Sequence, residues 1–435
     1  MISRIENRIG SVIRLACRLS PRVGTLRQLR TFGARSLAPL TMLIVATAAV
    51  VHGAEPAPWD LAELRKTPKV EWVDTSGMIR KLYYQGEPYR GRATRVFAYC
   101  GFPEPQPGEA AGTKRPAVVL IHGGGGTAFP EWVKLWAERG YVAIAMDLAG
   151  KGPDRKPLED GGPDQSDDVK FPKTETAPRE MWSYHAVANA IRGASVLQSL
   201  EVVDRDRLAV TGISWGGYLT CIVAGVDDRF RAAVPVYGCG FLHENSVWLP
   251  RFAAMTPPEW KTKWVGLFDP SSHVGGAKMP VLMVNGTNDF AYPLDSYQKT
   301  YRLIQNRRLC VTVNMPHGHQ QGWAPKEIGL FIDSHLRGGA PLPEIDATAK
   351  VTADEGRASV GWRGADSPQV KFHWTTDVGE WQKRKWQTRD ASADGESRAN
   401  VALPTDRPLV GFFTLTDKRG ATVSTEHFEL AQSKK

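Results

Sequence analysis

Between Ala117 and Met315 the chain repeats one pattern six times: an unbroken apolar run of strand length, AVVLIH (117–122), YVAIAMD (141–147), RLAVTGIS (207–214), AAVPVYG (232–238), PVLMVNG (280–286) and LCVTVNM (309–315). A strand that is apolar at every position has no face to offer to water, so it must be covered on both sides. Stretches with helical spacing separate the runs, at about 131–139, 178–200, 216–225, 293–305 and 325–336. Strand alternating with helix in this way predicts an α/β class fold, a doubly wound and mostly parallel sheet. Two inserts interrupt the rhythm, 150–176 and 241–277, each following a strand at the edge where open α/β sheets place their ligands. They are predicted lids. The second carries Trp248, Trp260 and Trp264, suited either to stack on sugar faces or to form the core of the lid.

The flanks read differently. Residues 70–103 alternate apolar and polar positions and break at Gly and Pro, which predicts antiparallel strands. After GGAPLP (338–343) the alternation returns without helical spacing, predicting a small β-sandwich-like accessory domain over 345–435 behind a catalytic domain over 55–340. Residues 1–54 form a leader with eight Arg, no Lys and one acid, followed by a twelve-residue apolar run, Leu40 to Val51, and the small residues Gly53 and Ala54. Basic region, short apolar region and small-residue exit make a secretory signal, so a secreted or periplasmic protein is expected. The apolar run is short of the ~20 residues of a membrane span, so no span is expected after cleavage. The leader also accounts for most of the net charge of +9. The rest is nearly neutral and offers no basic footprint for phosphate backbones, which argues against a nucleic-acid partner. Beyond Cys17 the chain has Cys100, Cys221, Cys239 and Cys310, without CxxC or Cys/His spacing, so no metal site and at most one disulfide are expected.

The sharpest local signal is TGISWGGY, 211–218, containing G-x-S-x-G at a strand-to-helix junction. Small residues on both sides let the chain reverse within a few positions, projecting the Ser214 hydroxyl above the sheet as a nucleophile. Attack on an acyl carbon creates an oxyanion, and amide donors must already face it. HGGGG (122–126) ends the first buried strand with glycines whose N–H groups a substrate can approach, and the N–H of Trp215 follows the nucleophile. His122 is read as shaping that loop. An acid and a base must follow in the order Ser, Asp, His. Asp289, just beyond the strand in PVLMVNGTNDFAYP, is assigned as the acid, with Asp295 as the fallback on the next helix. NMPHGHQQGW offers His317 and His319. His319, preceded by Gly318, is assigned as the base, with His317 the alternative.

These residues resemble the α/β-hydrolase superfamily, and within it acetyl xylan esterases, dienelactone hydrolases and the prolyl oligopeptidase catalytic domain. GISWGGYLT is similar to their nucleophile elbow and GTNDFAYP to their acid loop. The matching positions run from about Ala117 to Leu336. The resemblance implies Ser214, Asp289 and His319 as the triad, with Trp215 and a glycine of 123–126, assigned to Gly124, as oxyanion donors. It implies a secreted serine esterase acting through an acyl-enzyme, without cofactor, on a small-molecule or carbohydrate ester, acetyl esters above all. A peptidase of the prolyl oligopeptidase type is the second reading. The propeller of those peptidases does not fit in the roughly sixty residues before the sheet. A non-catalytic carbohydrate-binding or scaffold protein is the third.

Overall fold

The computed structural model describes residues 57–105, 108–110, 112–352 and 354–432. The expected leader, 1–54, lies outside the described residues. Gly53–Lys435 forms one compact unit.

Its centre is a nine-stranded sheet: β1 Val70–Asp74, β2 Ile79–Gln85, β3 Arg95–Gly101, β4 Arg115–Ile121, β5 Val142–Met146, β6 Val203–Ile213, β7 Ala232–Val236, β8 Val281–Gly286 and β9 Arg307–Thr312. The order is β1-β2-β3-β5-β4-β6-β7-β8-β9. From β5 to β9 every neighbouring pair is parallel, whereas β1, β2 and β3 extend the sheet antiparallel. Every residue of β5, β7 and β8 is buried, as the unbroken apolar runs require. The antiparallel edge alternates instead, and β1 has no fully buried position.

Five helices fill the intervals read from the sequence: Pro130–Glu138, Trp182–Ser199, Trp215–Val226, Leu294–Arg302 and Lys326–Leu336. Trp182–Ser199 is buried from Trp182 to Leu197 without a break. One helix face meets the sheet; the other is covered by the segment before β1, where the Trp59 indole donates to Tyr184 O (2.9 Å) and the Ser195 hydroxyl to Leu64 O (3.0 Å).

The C-terminal region is all β. Glu344–Ile345, Lys350–Thr352, Arg357–Arg363, Ser392–Ala393 and Arg398–Ala402 form one five-stranded sheet; Gln369–Thr375, Gln387–Asp390, Leu409–Thr416, Thr422–Ser424 and Phe428–Leu430 form another. Every pairing is antiparallel. This small domain is packed onto the end of the main sheet. Leu294 and Val311 share an apolar cluster with Trp381, Val410 and Phe412. Glu426, buried, receives Arg302 Nε and Arg307 Nη2, both at 2.7 Å.

The two inserts hold each other. Trp260 Nε1 donates to Pro172 O (2.8 Å), Trp264 Nε1 to Lys170 O (2.9 Å) and Thr256 N to Lys173 O (2.7 Å). Trp260 and Trp264 are buried in this way, so of the three insert tryptophans only Trp248 reaches the cleft described next.

Candidate active site

Ser214 sits between the end of β6 and the first turn of Trp215–Val226, with φ +60° and ψ −117°. A non-glycine residue at positive φ is strained, and here the strain is held by bonds on both sides: Ser214 N donates to Val236 O (2.9 Å) and Tyr218 N to Ser214 O (2.9 Å). The glycines around it answer to close approach. A Cβ on Gly216 would lie 1.9 Å from Ile121 O, and one on Gly212 would lie 2.2 Å from Gly216 O. Helix and strand thus meet backbone to backbone, and the serine is left at the rim.

The loop after β4 is fixed by His122. Its Nε2 accepts from Leu148 N (2.9 Å), so its Nδ1–H donates to Gly123 O (2.8 Å), and burial pushes its pKa down. Three of the four glycine N–H groups that follow are committed: Gly123 to His319 Nε2 (3.1 Å), Gly125 to Gln165 Oε1 (3.2 Å) and Gly126 to Gly123 O (3.1 Å). Among the described residues, the N–H groups of Gly124 and Trp215 carry no such bond. Gly124 also packs against Trp215, where a Cβ would lie 3.0 Å from Cδ1. Trp215 opens a twelve-residue helix, whose positive end favours negative charge.

Asp289 lies just past β8 with its side chain fully buried. Oδ1 accepts from Ala291 N (2.9 Å) and Tyr292 N (2.8 Å), and Oδ2 meets His317 Nδ1 at 2.6 Å. The His317 ring stacks on Tyr237, centroids 4.3 Å apart, and against Phe290 at 4.7 Å. Tyr237 in turn donates through its hydroxyl to Pro316 O (2.7 Å), closing the pocket around the imidazole. Asp295 is elsewhere, in the first turn of Leu294–Arg302, accepting from Asn245 Nδ2 (2.8 Å).

The choice between the two histidines is therefore corrected: the carboxylate of Asp289 holds His317, not His319. The reason is local. β9 stops at Thr312, a turn with Asn314 at φ +55° redirects the chain, and His319 becomes the first residue of the helix His319–Trp323, which turns its ring away toward the β4 loop. There it rests on Phe129 (4.8 Å) and accepts from Gly123 N, with burial pushing its pKa down to about 4. A ring nitrogen that accepts an amide N–H is held in the neutral form.

Ser214, Trp215, Gly124, His317 and His319 line one cleft of about 340 Å³ together with Trp248 and Phe290. A nucleophilic hydroxyl, an oriented imidazole and two uncommitted amide donors thus share one volume, the parts an acyl transfer requires. Sequence reasoning passed over several supporting residues. Tyr237 and Phe290, which frame His317, follow strands as ordinary aromatics and carry no signal. Nor does Asn288, whose Nδ2 donates to Gln382 O (3.0 Å) and Arg384 O (2.7 Å), tying the acid loop to the C-terminal domain. Lys170 is a buried cation 4.4 Å from the centre of the Trp215 ring, paired with Asp167 Oδ1 at 3.0 Å; burial pushes its pKa down. Among the described residues no group of three or more His, Cys, Asp and Glu is placed to hold a metal ion, and no helix is long and apolar enough to cross a membrane. Cys100, Cys221, Cys239 and Cys310 are buried free thiols.

Residues 173–325 match the prolyl oligopeptidase family and residues 61–246 the acetyl xylan esterase (AXE1) family. A curated relative, the probable dipeptidyl-peptidase 5 of Emericella nidulans, is 25% identical over 283 residues, 57% of this chain and 36% of that protein. The chain thus spans about a third of that relative's length. Among solved structures, an acetyl xylan esterase from Paenibacillus sp. R4 is similar with a TM-score of 0.51 at 22% identity, covering 63% of this chain and 92% of that one. Acetyl xylan esterase 1 from Thermoanaerobacterium sp. JW/SL YS485 gives a TM-score of 0.49 at 22% identity, over 64% and 94% of the two chains.

Proposed function

We propose that this serine hydrolase of the α/β-hydrolase fold cleaves carboxylic esters, with Ser214 as nucleophile, His317 as base and Asp289 as its orienting acid. One observation supports this most directly: the 2.6 Å contact between Asp289 Oδ2 and His317 Nδ1, in a cleft that Ser214 also lines. An imidazole held at Nδ1 by a buried carboxylate keeps Nε2 for the serine proton. Ser214 Oγ attacks the acyl carbon as His317 takes that proton, and the carbonyl oxygen becomes an oxyanion facing the N–H groups of Gly124 and Trp215. His317 then protonates the leaving alcohol as its bond to the acyl carbon breaks. Water, deprotonated by the same imidazole, attacks the acyl-enzyme, and collapse returns the carboxylic acid and free Ser214.

The substrate class proposed is a small acyl ester of a carbohydrate, acetyl first, because the esterase family matches residues 61–246, which carry the β4 loop and the elbow. The prolyl oligopeptidase match over 173–325 favours amide cleavage as the second reading. We further propose export to the periplasm or medium on the strength of the leader composition. Ser214→Ala is expected to abolish p-nitrophenyl acetate hydrolysis and fluorophosphonate labelling; unchanged turnover refutes the assignment. Comparing an acetylated sugar with a short proline-containing peptide separates ester from amide, and N-terminal sequencing of the exported protein tests the leader.

A further inference from the structure

A second and larger concavity, about 690 Å³, opens beside the catalytic cleft. Its walls come from three parts of the chain: the second insert through Asn245 and Val247, the acid loop and next helix through Phe290 and Asp295, and the C-terminal domain through Glu380 and Gln382. It adjoins the cleft. Phe290 lines both, and Trp248 of the cleft is flanked by Val247 and Leu249 of the groove. Given the ester-hydrolase reading above, on which this step rests, we infer that the groove is an extended subsite for the alcohol side of the ester and that it takes a neutral oligosaccharide.

The side follows from the chemistry. The imidazole gives its proton to the leaving group, so the alcohol departs past His317. Phe290 packs on that imidazole at 4.7 Å, and the groove begins at Phe290, while the amide donors for the oxyanion belong to Gly124 and Trp215. The lining selects the occupant. Phe290 is 56% exposed, and Val247 (48%) and Leu249 (37%) are exposed beside it. Next to these apolar surfaces stand the Asn245 and Gln382 amides and the Asp295 and Glu380 carboxylates. A pyranose presents an apolar C–H face and a rim of hydroxyls, the combination an aromatic ring bordered by planar hydrogen-bonding groups receives. Asp295 holds the Asn245 amide (2.8 Å) and Glu380 pairs with Lys383 (2.9 Å), so the wall is close to balanced in charge and suits a neutral chain. The volume lies within the ~300–1,000 Å³ of small-molecule sites and exceeds what one acyl group needs.

The test uses full-length protein. Ser214→Ala is titrated calorimetrically with an unsubstituted neutral tetrasaccharide, xylotetraose or cellotetraose, and separately with an uncharged N-acetyl tetrapeptide amide. Binding of a tetrasaccharide that is weakened about tenfold or more by Val247→Arg, and by the pair Glu380→Ala with Gln382→Ala, supports the subsite. In the active enzyme the same variants are expected to raise KM for an acetylated tetrasaccharide about tenfold at unchanged kcat, leaving p-nitrophenyl acetate turnover within about twofold. Tetrapeptide binding in place of sugar, no tetrasaccharide binding, or equal losses on both substrates overturns it. Protein that is labelled by a fluorophosphonate and hydrolyses p-nitrophenyl acetate, yet ignores the tetrasaccharides, sinks this inference alone. Protein that is neither labelled nor active sinks the ester-hydrolase reading, and the tetrasaccharide titration still decides the groove.

Discussion

Two histidines separated by a single glycine differ in what their ring nitrogens already hold. His317 spends Nδ1 on a buried carboxylate, whereas His319 spends Nε2 on the N–H of Gly123. His317→Asn is therefore expected to lower kcat for p-nitrophenyl acetate by roughly 10³ to 10⁴, the scale of losing a member of the proposed triad. His319→Ala releases Gly123 N–H and loosens the loop that presents Gly124, so a loss of about tenfold in kcat is expected with the proposed base intact. Equal losses in the two variants would overturn the division of roles. The types of residue at this site, a serine between glycines and an aspartate beyond a strand, were legible in the sequence because their chemistry is tied to strand ends. The imidazole was not. Which of two rings meets the carboxylate depends on where a five-residue helix begins, and the Pro and Gly beside the rings mark a loop without saying where the chain goes next.

At the scale of elements, the elbow works because helix and strand touch without side chains between them. Gly216→Ala is expected to cost at least about 3 kcal/mol, or to prevent folding, since its Cβ would meet Ile121 O at 1.9 Å; chemical denaturation with far-UV circular dichroism measures this. A second case lies where the antiparallel edge meets the long helix. Glu87, buried, receives Arg192, Arg179 (3.0 Å) and the Tyr184 hydroxyl (3.0 Å). Arg192→Ala leaves that carboxylate without its buried partner and is expected to destabilise by about 3–5 kcal/mol, read as a shifted denaturation midpoint. The glycines of the elbow announced themselves in the sequence. The Glu87 cluster did not, because its members are separated by about a hundred positions and meet only when helix Trp182–Ser199 lies on the sheet.

For the whole molecule, the C-terminal domain is part of the same packed body as the main sheet. It seals Leu294 and Val311, receives Arg302 and Arg307 on Glu426, and anchors Asn288 beside the proposed catalytic acid. A chain ending at Pro343 is expected to lose soluble expression and the proposed esterase activity together, which size-exclusion chromatography and a p-nitrophenyl acetate assay check. Acid stability is also a property of the whole. His122, His185, His273, His319, His335 and His373 are all shifted down by burial, His319 and His373 to about 4. Below the unfolded pKa of ~6.5 the unfolded chain takes up protons that the folded one refuses. This contribution is complete above that pH and declines as pH falls toward 4. The melting temperature is expected to drop through that window, and less so in His373→Gln; a flat profile between pH 7 and 4.5 would contradict this.

The amino-acid order alone determined the α/β alternation, the antiparallel flanks, the serine elbow and the strand behind Asp289, because each depends on periodicity or sterics within a dozen residues. The tertiary structure decided which imidazole Asp289 holds, which of four glycine amides is left uncommitted, and that the second insert and a distant β domain help to wall the cleft and its neighbouring groove. Those are contacts between segments far apart in the chain, and local pattern carries no information about which distant surface will fill a given space.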